Sequence, residues 1–563
     1  MSGRQERLDR WIAILCITLL ALAAALVKIR SYDVWWHLEA GELIRMTGSI
    51  PRADGFSFTS AGTPWINHEW LFQVALSLAW KAGAVGVLLM KAACAAGAAA
   101  IGFAALRRGG AARGVSLMVV ALSIIGLRPR LVERPEMFSL VMIAAVAAIG
   151  MDLVLRPQRP AARIAAAGVL TALWANLHAA ALASPVILAA LAAGAFIESI
   201  AKGGRQDAAA RGARVALAAA LAAAAGLLVN PYGWRLLGVP AEIAAALAPA
   251  NLVNPEWVAP SPRTAPLYFC VAAVALLAGV RQTAARAAGA PPRLALLLLS
   301  IGMASLSVRQ IGFFFALLPL TLDLSWLQGR SARPVRWLGP VAAAGAVIHM
   351  ILAPPAGASV GLGIQPDRFP EKAADFVAAR MPDARLYNDT AFGGYLIHRG
   401  YPQRRVFIDG RNEVHASLLK EIAASLDDGR RWQSLLSRHQ IEAALVSYRH
   451  EPIETRDAVT GAVSMSSWSA LHFPRPAWAL VYWDDVAMVF VRREGPLGAL
   501  AGSLEYRHIQ PELLELNGLA PPPAALIPDL QRDIRRKLTD DADCRLASAL
   551  SALYGEGSTS PQR

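Results

Sequence analysis

Asp33-Val34-Trp35-Trp36-His37-Leu38-Glu39 follows almost directly on the first long apolar run of the chain, Trp11 to Val27. Two carboxylates, two indoles and an imidazole therefore stand where a membrane span should surface. Ionisable groups at such a place are costly unless something satisfies or uses them. The fold follows from which side of the membrane this stretch faces, and from what faces the same way.

The 563 residues are 55% hydrophobic and 17% charged, against about 25% charged in a soluble domain. This composition is that of a membrane protein with a polar remainder. A net charge of +14 would point to nucleic acid in a soluble protein. Here the basic residues lie in short loops between apolar runs, as in cytoplasmic membrane loops, so no nucleic-acid partner is expected. Cys16, Cys94 and Cys270 fall inside apolar segments and Cys544 stands alone. No CxxC spacing occurs, so neither a zinc site nor a disulfide framework is expected. Arg4, Arg7 and Arg10 precede the first apolar run, and the many runs that follow make this an uncleaved start-anchor rather than a signal peptide.

Eleven apolar runs can span: 11–28, 84–106, 114–128, 136–155, 163–176, 180–200, 213–229, 264–280, 291–307, 310–327 and 334–353. Basic clusters fall in every second loop: Arg107, Arg108 and Arg113; Arg156, Arg159 and Arg163; Lys202, Arg205, Arg211 and Arg214; Arg281 and Arg286; Arg330, Arg333 and Arg336. With the basic N-terminus inside, all of these are inside, and the region after the last span is outside. His68 to Trp80 is apolar but short. A span there would turn every later cluster outward, so it reads as a juxtamembrane or re-entrant helix on the outer face.

The remaining loops share a different chemistry. The first, within residues 31–82, holds Asp33, Trp36, His37, Glu39, His68 and Glu69. The second carries Arg128, Arg130, Glu133, Arg134 and Glu136; others carry Asn176 and His178, Tyr232, and Asn254 to Trp257, and Arg309 lies near a further turn. Indoles are ordinary interfacial anchors; paired imidazoles and carboxylates are not. Arginines here can grip a phosphate bidentately, or simply pair with Glu133 and Glu136. A carboxylate can act as general base on a hydroxyl. If residues 33–44 are helical, Asp33, Trp36 and His37 share a face, so His37 could orient Asp33. Asp33 as a plain helix N-cap is the bland alternative. A hard divalent cation on Asp33, His37 and Glu39, with His68 and Glu69, also stays open.

These residues resemble the GT-C superfamily of integral-membrane glycosyltransferases, whose first outer loop opens with an acidic residue. Asp33–Glu39, Gly48-Ser49-Ile50-Pro51 and His68-Glu69-Trp70-Leu71 resemble that loop, and Arg128 to Glu136 resembles the second outer loop. The chain is more specifically similar to a group of bacterial membrane proteins with D-x-W-W-H-L, W-A-N-L-H, N-P-Y-G and F-I-D-G-R segments, here Asp33–Leu38, Trp174–His178, Asn230–Gly233 and Phe407–Arg411. Asp33 is followed by valine where better-understood members have a second carboxylate. The resemblance implies a polyprenyl-phosphate sugar lipid as donor, with a glycan, lipid or protein as acceptor.

After Leu352 the composition changes. A linker at 354–363 leads to an outer domain at 364–495 with strands at 385–388, 404–408, 443–448, 478–483 and 486–491 and helices between. Strands alternating with helices suggest a small α/β sheet. Asn388, Asp389, Asp409 and Arg411 fall at strand ends, where such sheets bind ligands or simply turn. Residues 496–563 read as a helical, partly disordered tail. The expected architecture is thus an α-helical polytopic membrane protein of about eleven transmembrane helices (1–353) with a C-terminal extracytoplasmic α/β domain. The expected function is sugar transfer on the outer face of the plasma (inner) membrane. Asp33 and His37 would be catalytic, and Trp36, His68, Glu69, Arg128, Arg130, Arg134, Asn176, His178, Tyr232 and Arg309 would bind substrate. A lipid or polysaccharide transporter, which would favour polar groups at mid-membrane depth, and a catalytically silent scaffold are the alternatives. A tag at residue 110 is expected on the same side of the membrane as the N-terminus; labelling it from the opposite side would overturn the topology.

Overall fold

The computed structural model describes residues 3–203, 208–247, 255–325, 333–447, 453–456, 463–514 and 524–554. Arg205, Asn254 and Arg330, named above, and Tyr448, the last residue of the expected strand 443–448, lie outside the described residues. The chain divides into two compact units. One holds residues 1–52, 66–242 and 252–365; the other holds 53–65, 243–251 and 366–563.

The first unit is helical. Its elements are α1 (Gly3–Ala25), α2 (Val34–Thr47), α3 (Trp70–Trp80), α4 (Gly83–Arg108), α5 (Arg113–Leu127), α6 (Glu136–Leu155), α7 (Ala161–Leu177), α8 (Ala183–Ala201) and α9 (Ala208–Leu227). After α10 (Val239–Leu247) come α11 (Pro266–Ala284), α12 (Ala290–Leu306), α13 (Ile311–Thr321) and α14 (Arg333–Leu352). Each of the eleven apolar runs coincides with one of these helices. Six are long and apolar enough to cross a membrane: Arg4–Ala25, Gly83–Arg108, Glu136–Leu155, Ala179–Ala201, Ala208–Leu227 and Pro266–Ala284. The other five fall short of the ~20 residues a perpendicular span needs or are less apolar. The short segment after His68 is α3, 11 residues long. It packs against α2, which is possible because Gly41 has no side chain: a Cβ there would lie 2.0 Å from the Gln73 carbonyl oxygen.

Between α1 and α2 the chain is extended. Val27 bridges Val360, and Ile29 bridges Ile364. The expected linker therefore pairs with the segment that leads into Asp33, and both belong to the first unit.

In the second unit, α15 (Glu371–Arg380), β1 (Leu386–Asn388), α16 (Thr390–Gly400), α17 (Ala416–Ala423), α18 (Gly429–Arg438) and β2 (Ala443–Ser447) lead to a small hairpin, β3 (Ile453–Arg456) and β4 (Val463–Ser466). Then follow α19 (Trp468–His472), β5 (Trp478–Trp483), β6 (Ala487–Arg492), α20 (Gly498–Leu504), α21 (Ile527–Asp540) and α22 (Arg545–Tyr554). The main sheet runs β1-β2-β6-β5. β1 pairs with β2 in parallel, β6 is antiparallel to both β2 and β5. Trp432, Phe473, Trp478 and Phe490 are buried on it, and so are Leu530, Ile534, Leu546 and Leu550 of α21 and α22. The tail thus contributes to the core as far as 554.

One expected strand is absent from this sheet. Residues 404–408 make instead an isolated parallel bridge from Val406 to Ser57. The Val406 N–H donates to the Phe56 carbonyl at 3.0 Å, and the Val406 carbonyl accepts from Phe58 N–H at 3.0 Å. Residues 53–65 of the first outer loop supply the partner that a sheet neighbour would have given. The seam is closed by charge. Arg411 is fully buried and pairs at 2.6 Å with both Asp54 and Asp409. Its guanidinium lies 4.9 Å over the Phe56 ring and 4.6 Å over Trp65. His415 completes the group, with Nε2 3.2 Å from Asp409 and Nδ1 2.9 Å from the Ser60 hydroxyl. Asn388 takes part through Phe407 N–H and the Ile408 carbonyl, and Asp389 accepts from Ser447 N–H. Arg411, held by Asp409, therefore fastens the 53–65 loop, while Asn388 braces residues 407–408 and Asp389 caps β2. Removing one member of a buried ion group costs about 3–5 kcal/mol because the other charge is stranded. Arg411→Met is expected to lower the unfolding free energy of the second unit by an amount of that order, seen as a clear drop in its unfolding temperature, whereas Arg399→Met, at an exposed pair with Asp375, is expected to leave it within experimental error.

Candidate functional site

Asp33 occupies the N-cap position of α2, but its side chain makes no cap hydrogen bond. Its carboxylate instead meets Arg134 Nε at 2.9 Å and accepts from the Trp36 indole N–H at 3.4 Å. Arg134 continues to Glu256 at 2.8 Å. Glu256 also takes Arg130 at 3.2 Å, and Arg130 is held bidentately by Glu136, at 2.9 and 2.7 Å. Arg309 reaches the same Glu136 at 3.1 Å. Asp33, Arg134, Glu256, Arg130, Glu136 and Arg309 thus form one network from the first two loops, the 255–257 turn and the turn before α13. Three guanidiniums face three carboxylates, so the network balances itself. Glu136 is fully buried, while Glu256 is 31% exposed. Glu256 is the member that an incoming anion could displace at least cost.

His37 forms a second cluster. The sequence pattern pairs it with Asp33; the structure pairs it with Glu69, at 3.8 Å from Nε2. The ring lies against Trp36, with centroids 3.6 Å apart and the planes tilted by 30°, and meets the Phe72 ring edge-on. Glu69 lies at the N-cap position of α3, and its other oxygen is 3.4 Å from His68 Nε2. Burial pulls His37 down to about 4, against the opposing fields of Glu69 and Asp33. The imidazole is therefore neutral at neutral pH.

The remaining expected residues support these two clusters. The His178 ring is 2.7 Å from the Ser139 hydroxyl, which accepts from the Trp174 indole. Asn176 accepts from the Trp70 indole at 2.8 Å, and the Tyr232 hydroxyl accepts from Asn67 N–H at 3.0 Å. The two contacts hold the start of α3 and the turn before it. Arg128 stands apart: it donates to the Ala353 carbonyl, while its Nε and Nη2 are buried without a hydrogen-bond partner. Burial, then the Arg30 guanidinium nearby, lowers its pKa. The possible cation set does not assemble: among the described residues, no three His, Cys, Asp or Glu side chains are placed to hold a metal ion.

Sequence reasoning missed what lies behind Asp33. Lys91 and Glu133, each 1% exposed, pair at 2.6 Å. Lys91 also donates to the Val27 carbonyl. Glu133 accepts from the N–H groups of Arg30 and Ser31. The Ser31 hydroxyl accepts from Asp33 N–H and from Arg134 Nε. The signal was legible: Lys91 is a lone charge inside the apolar run 84–106.

No protein-family model matches the chain, and no curated protein does. Solved structures do. The archaeal oligosaccharyltransferase AglB from Archaeoglobus fulgidus, in complex with an inhibitory peptide and a dolichol-phosphate, superposes with a TM-score of 0.54 at 10% identity, covering 83% of this chain and 75% of that one. The A. fulgidus oligosaccharyltransferase tethered to an acceptor peptide gives 0.55 at 10% identity with the same coverage. The fold is that of these archaeal oligosaccharyltransferases. ArnT from Cupriavidus metallidurans covers more, 87% of this chain and 98% of its own, at 11% identity and a TM-score of 0.48. The Lys91–Glu133 pair binds the backbone of Val27, Arg30 and Ser31, the stretch that leads into Asp33. Lys91→Met is expected to lower stability by about 3–5 kcal/mol. Lys91→Met with Glu133→Gln is expected to recover a measurable part of that loss in a double-mutant cycle; additive losses would show that the two charges act separately.

Proposed function

We propose that the chain is a membrane glycosyltransferase that moves a sugar from a polyprenyl-phosphate donor to an acceptor on the outer face of the plasma (inner) membrane. The observation that carries the reading is the Asp33–Arg134 pair, 2.9 Å long. It joins a carboxylate from the first outer loop to arginines from the second. It does so in the fold of proteins solved with dolichol-phosphate and with acceptor peptide. The resemblance of the four segments from Asp33–Leu38 to Phe407–Arg411 supports reading the chain as one of a narrower group of bacterial membrane proteins, with its C-terminal α/β unit extracytoplasmic.

In this mechanism Asp33 accepts the proton of the acceptor as that group attacks the anomeric carbon and the phosphate departs with inversion. Arg134 and Arg130 stabilise the charge on the leaving phosphate, with Glu256 giving way to it. Arg128, which has no carboxylate partner among the described residues, adds to the field. Arg309 keeps Glu136 in place, and His37, neutral and packed against Trp36, walls the sugar side with His68, Glu69 and His178. The balanced charge of the network also favours one rival, a catalytically silent scaffold, because no arginine in it lacks an acid.

The two readings separate in one experiment. A deletion strain, and the same strain carrying wild type or Asp33→Asn, would be compared by mass spectrometry of lipid-linked sugars and extracytoplasmic glycans. A transferase predicts that wild type restores the missing glycan and that Asp33→Asn, at equal expression, falls short by roughly 10²–10⁴-fold in rate, the usual worth of a general base. Full restoration by Asp33→Asn would remove Asp33 from the chemistry and favour the scaffold.

A further inference from the structure

Asn230-Pro231-Tyr232-Gly233 has no step in the chemistry proposed above, yet it is tightly built. The Asn230 side chain accepts from Tyr232 N–H at 2.8 Å and donates to the Leu227 and Gly233 carbonyls at 2.7 and 3.1 Å. Gly233 turns with a φ of +56°, a conformation that favours glycine. The turn is tied twice to the start of α3. The Tyr232 hydroxyl accepts from the N–H of Asn67, the residue before His68 and Glu69. Asn176, which takes the Trp70 indole, donates to the Val229 carbonyl at 2.8 Å. A braced turn beside the candidate site thus buries Tyr232 and leaves Trp234 74% exposed, with Arg235 exposed next to it.

Two guanidiniums flank this turn. Arg52, exposed at the end of the segment that follows α2, lies 5.6 Å over the Tyr232 ring. The Arg235 N–H donates to the Tyr232 carbonyl at 3.2 Å. Burial raises the Tyr232 pKa, and Asn67 N–H, Arg52 and Arg235 oppose it; no carboxylate acts there. Among the described residues, neither the Arg52 nor the Arg235 side chain pairs with an acid. Arg130, Arg134 and Arg309 each do. Two unneutralised charges therefore stand beside a network that is neutral. An exposed tryptophan at this face is an ordinary anchor, and a single arginine near it would be unremarkable. Two that converge on one tyrosine repel each other, and a bound anion relieves that repulsion. We infer that Arg52 and Arg235 receive the carboxylate or phosphate of an acidic saccharide acceptor, with the Trp234 indole free to lie against a sugar face. The inference rests on the transferase reading and narrows its acceptor. Guanidinium suits the planar, bidentate contact that either anion offers. A phospholipid headgroup or a free phosphate ion would bring the same charge without the sugar.

The test titrates the full-length protein, in uncharged detergent, with trigalacturonate, glucose 6-phosphate and, as neutral control, maltotriose, by isothermal calorimetry. At least one acidic saccharide is expected to bind tenfold or more tightly than maltotriose, on the order of what two exposed charge contacts supply, and to weaken as salt rises. Arg52→Gln/Arg235→Gln, with Asn230 and Tyr232 kept, is expected to lose about tenfold in that binding while its melting curve stays that of wild type. Arg52→Lys/Arg235→Lys, with charge kept, is expected to retain most of it. Asp33→Asn is expected to bind as wild type does, so the transferase reading and this one fail separately: the first by full glycan restoration in the Asp33→Asn strain, the second by calorimetry alone. Equal binding of acidic and neutral saccharides would overturn the inference, as would a folded Gln variant that binds like wild type. Tighter binding of inorganic phosphate than of either acidic saccharide would also overturn it, assigning the arginines to a free anion. Loss of saccharide binding in phosphatidylglycerol nanodiscs, with phosphatidylcholine nanodiscs unaffected, would overturn it in favour of a lipid headgroup.

Discussion

A single buried ion pair, Lys91 with Glu133, sets the geometry on which the candidate site depends. Two charges that are each 1% exposed are tolerable in a helical membrane unit only if both are fully engaged. Glu133 meets that condition by taking Lys91 on one oxygen and the N–H groups of Arg30 and Ser31 on the other. The backbone that leaves α1 is therefore fixed before it reaches Asp33, and Ser31 passes the constraint to Asp33 and Arg134. Bridges from Val27 and Ile29 to residues 360 and 364 hold the same stretch from its other side. The carboxylate at the head of α2 is placed by the chain behind it, not by a cap of its own.

The polar chemistry near Asp33 then sorts by burial. The arginine–carboxylate network is neutral as a whole, and Glu256 is the most exposed of its carboxylates. The imidazole cluster around Glu69 is closed, with His37 uncharged and pressed between Trp36 and Phe72. An electrostatic step belongs to the first, where charge can be exchanged. Shape belongs to the second, where His37 is neutral. This division also accounts for Gly41: only a bare backbone lets α2 lie close enough to α3 for His37 to reach Glu69.

Much of this was legible from residues alone. Hydrophobic runs marked every membrane helix, because an apolar stretch in such a unit has few other uses. Arg130 and Arg134 stood out because they break the charge asymmetry of the loops. The partner of His37 did not, since Glu69 is 32 positions away and only the packing of α3 on α2 brings it near. Residues 404–408 read as a sheet strand by composition. Their pairing is with Phe56 to Phe58, and no local pattern announces a partner on a distant loop. Lys91 was visible as a charge in an apolar run but meaningless until Glu133 was placed beside it.

The seam at Arg411 has a consequence for synthesis. Asp54 and Arg411 are 357 residues apart in the chain. At about 5–20 residues per second, translation separates them by roughly 20–70 s. During that time Phe56 and Trp65 have been made, and the cation that will lie over their rings has not. The α2–α3 excursion must wait, apolar and unpaired, on the outgoing polypeptide. A nascent chain that stalls before residue 411 presents this segment to any chaperone or protease at the membrane surface, so the last third of the protein governs whether its first loop survives.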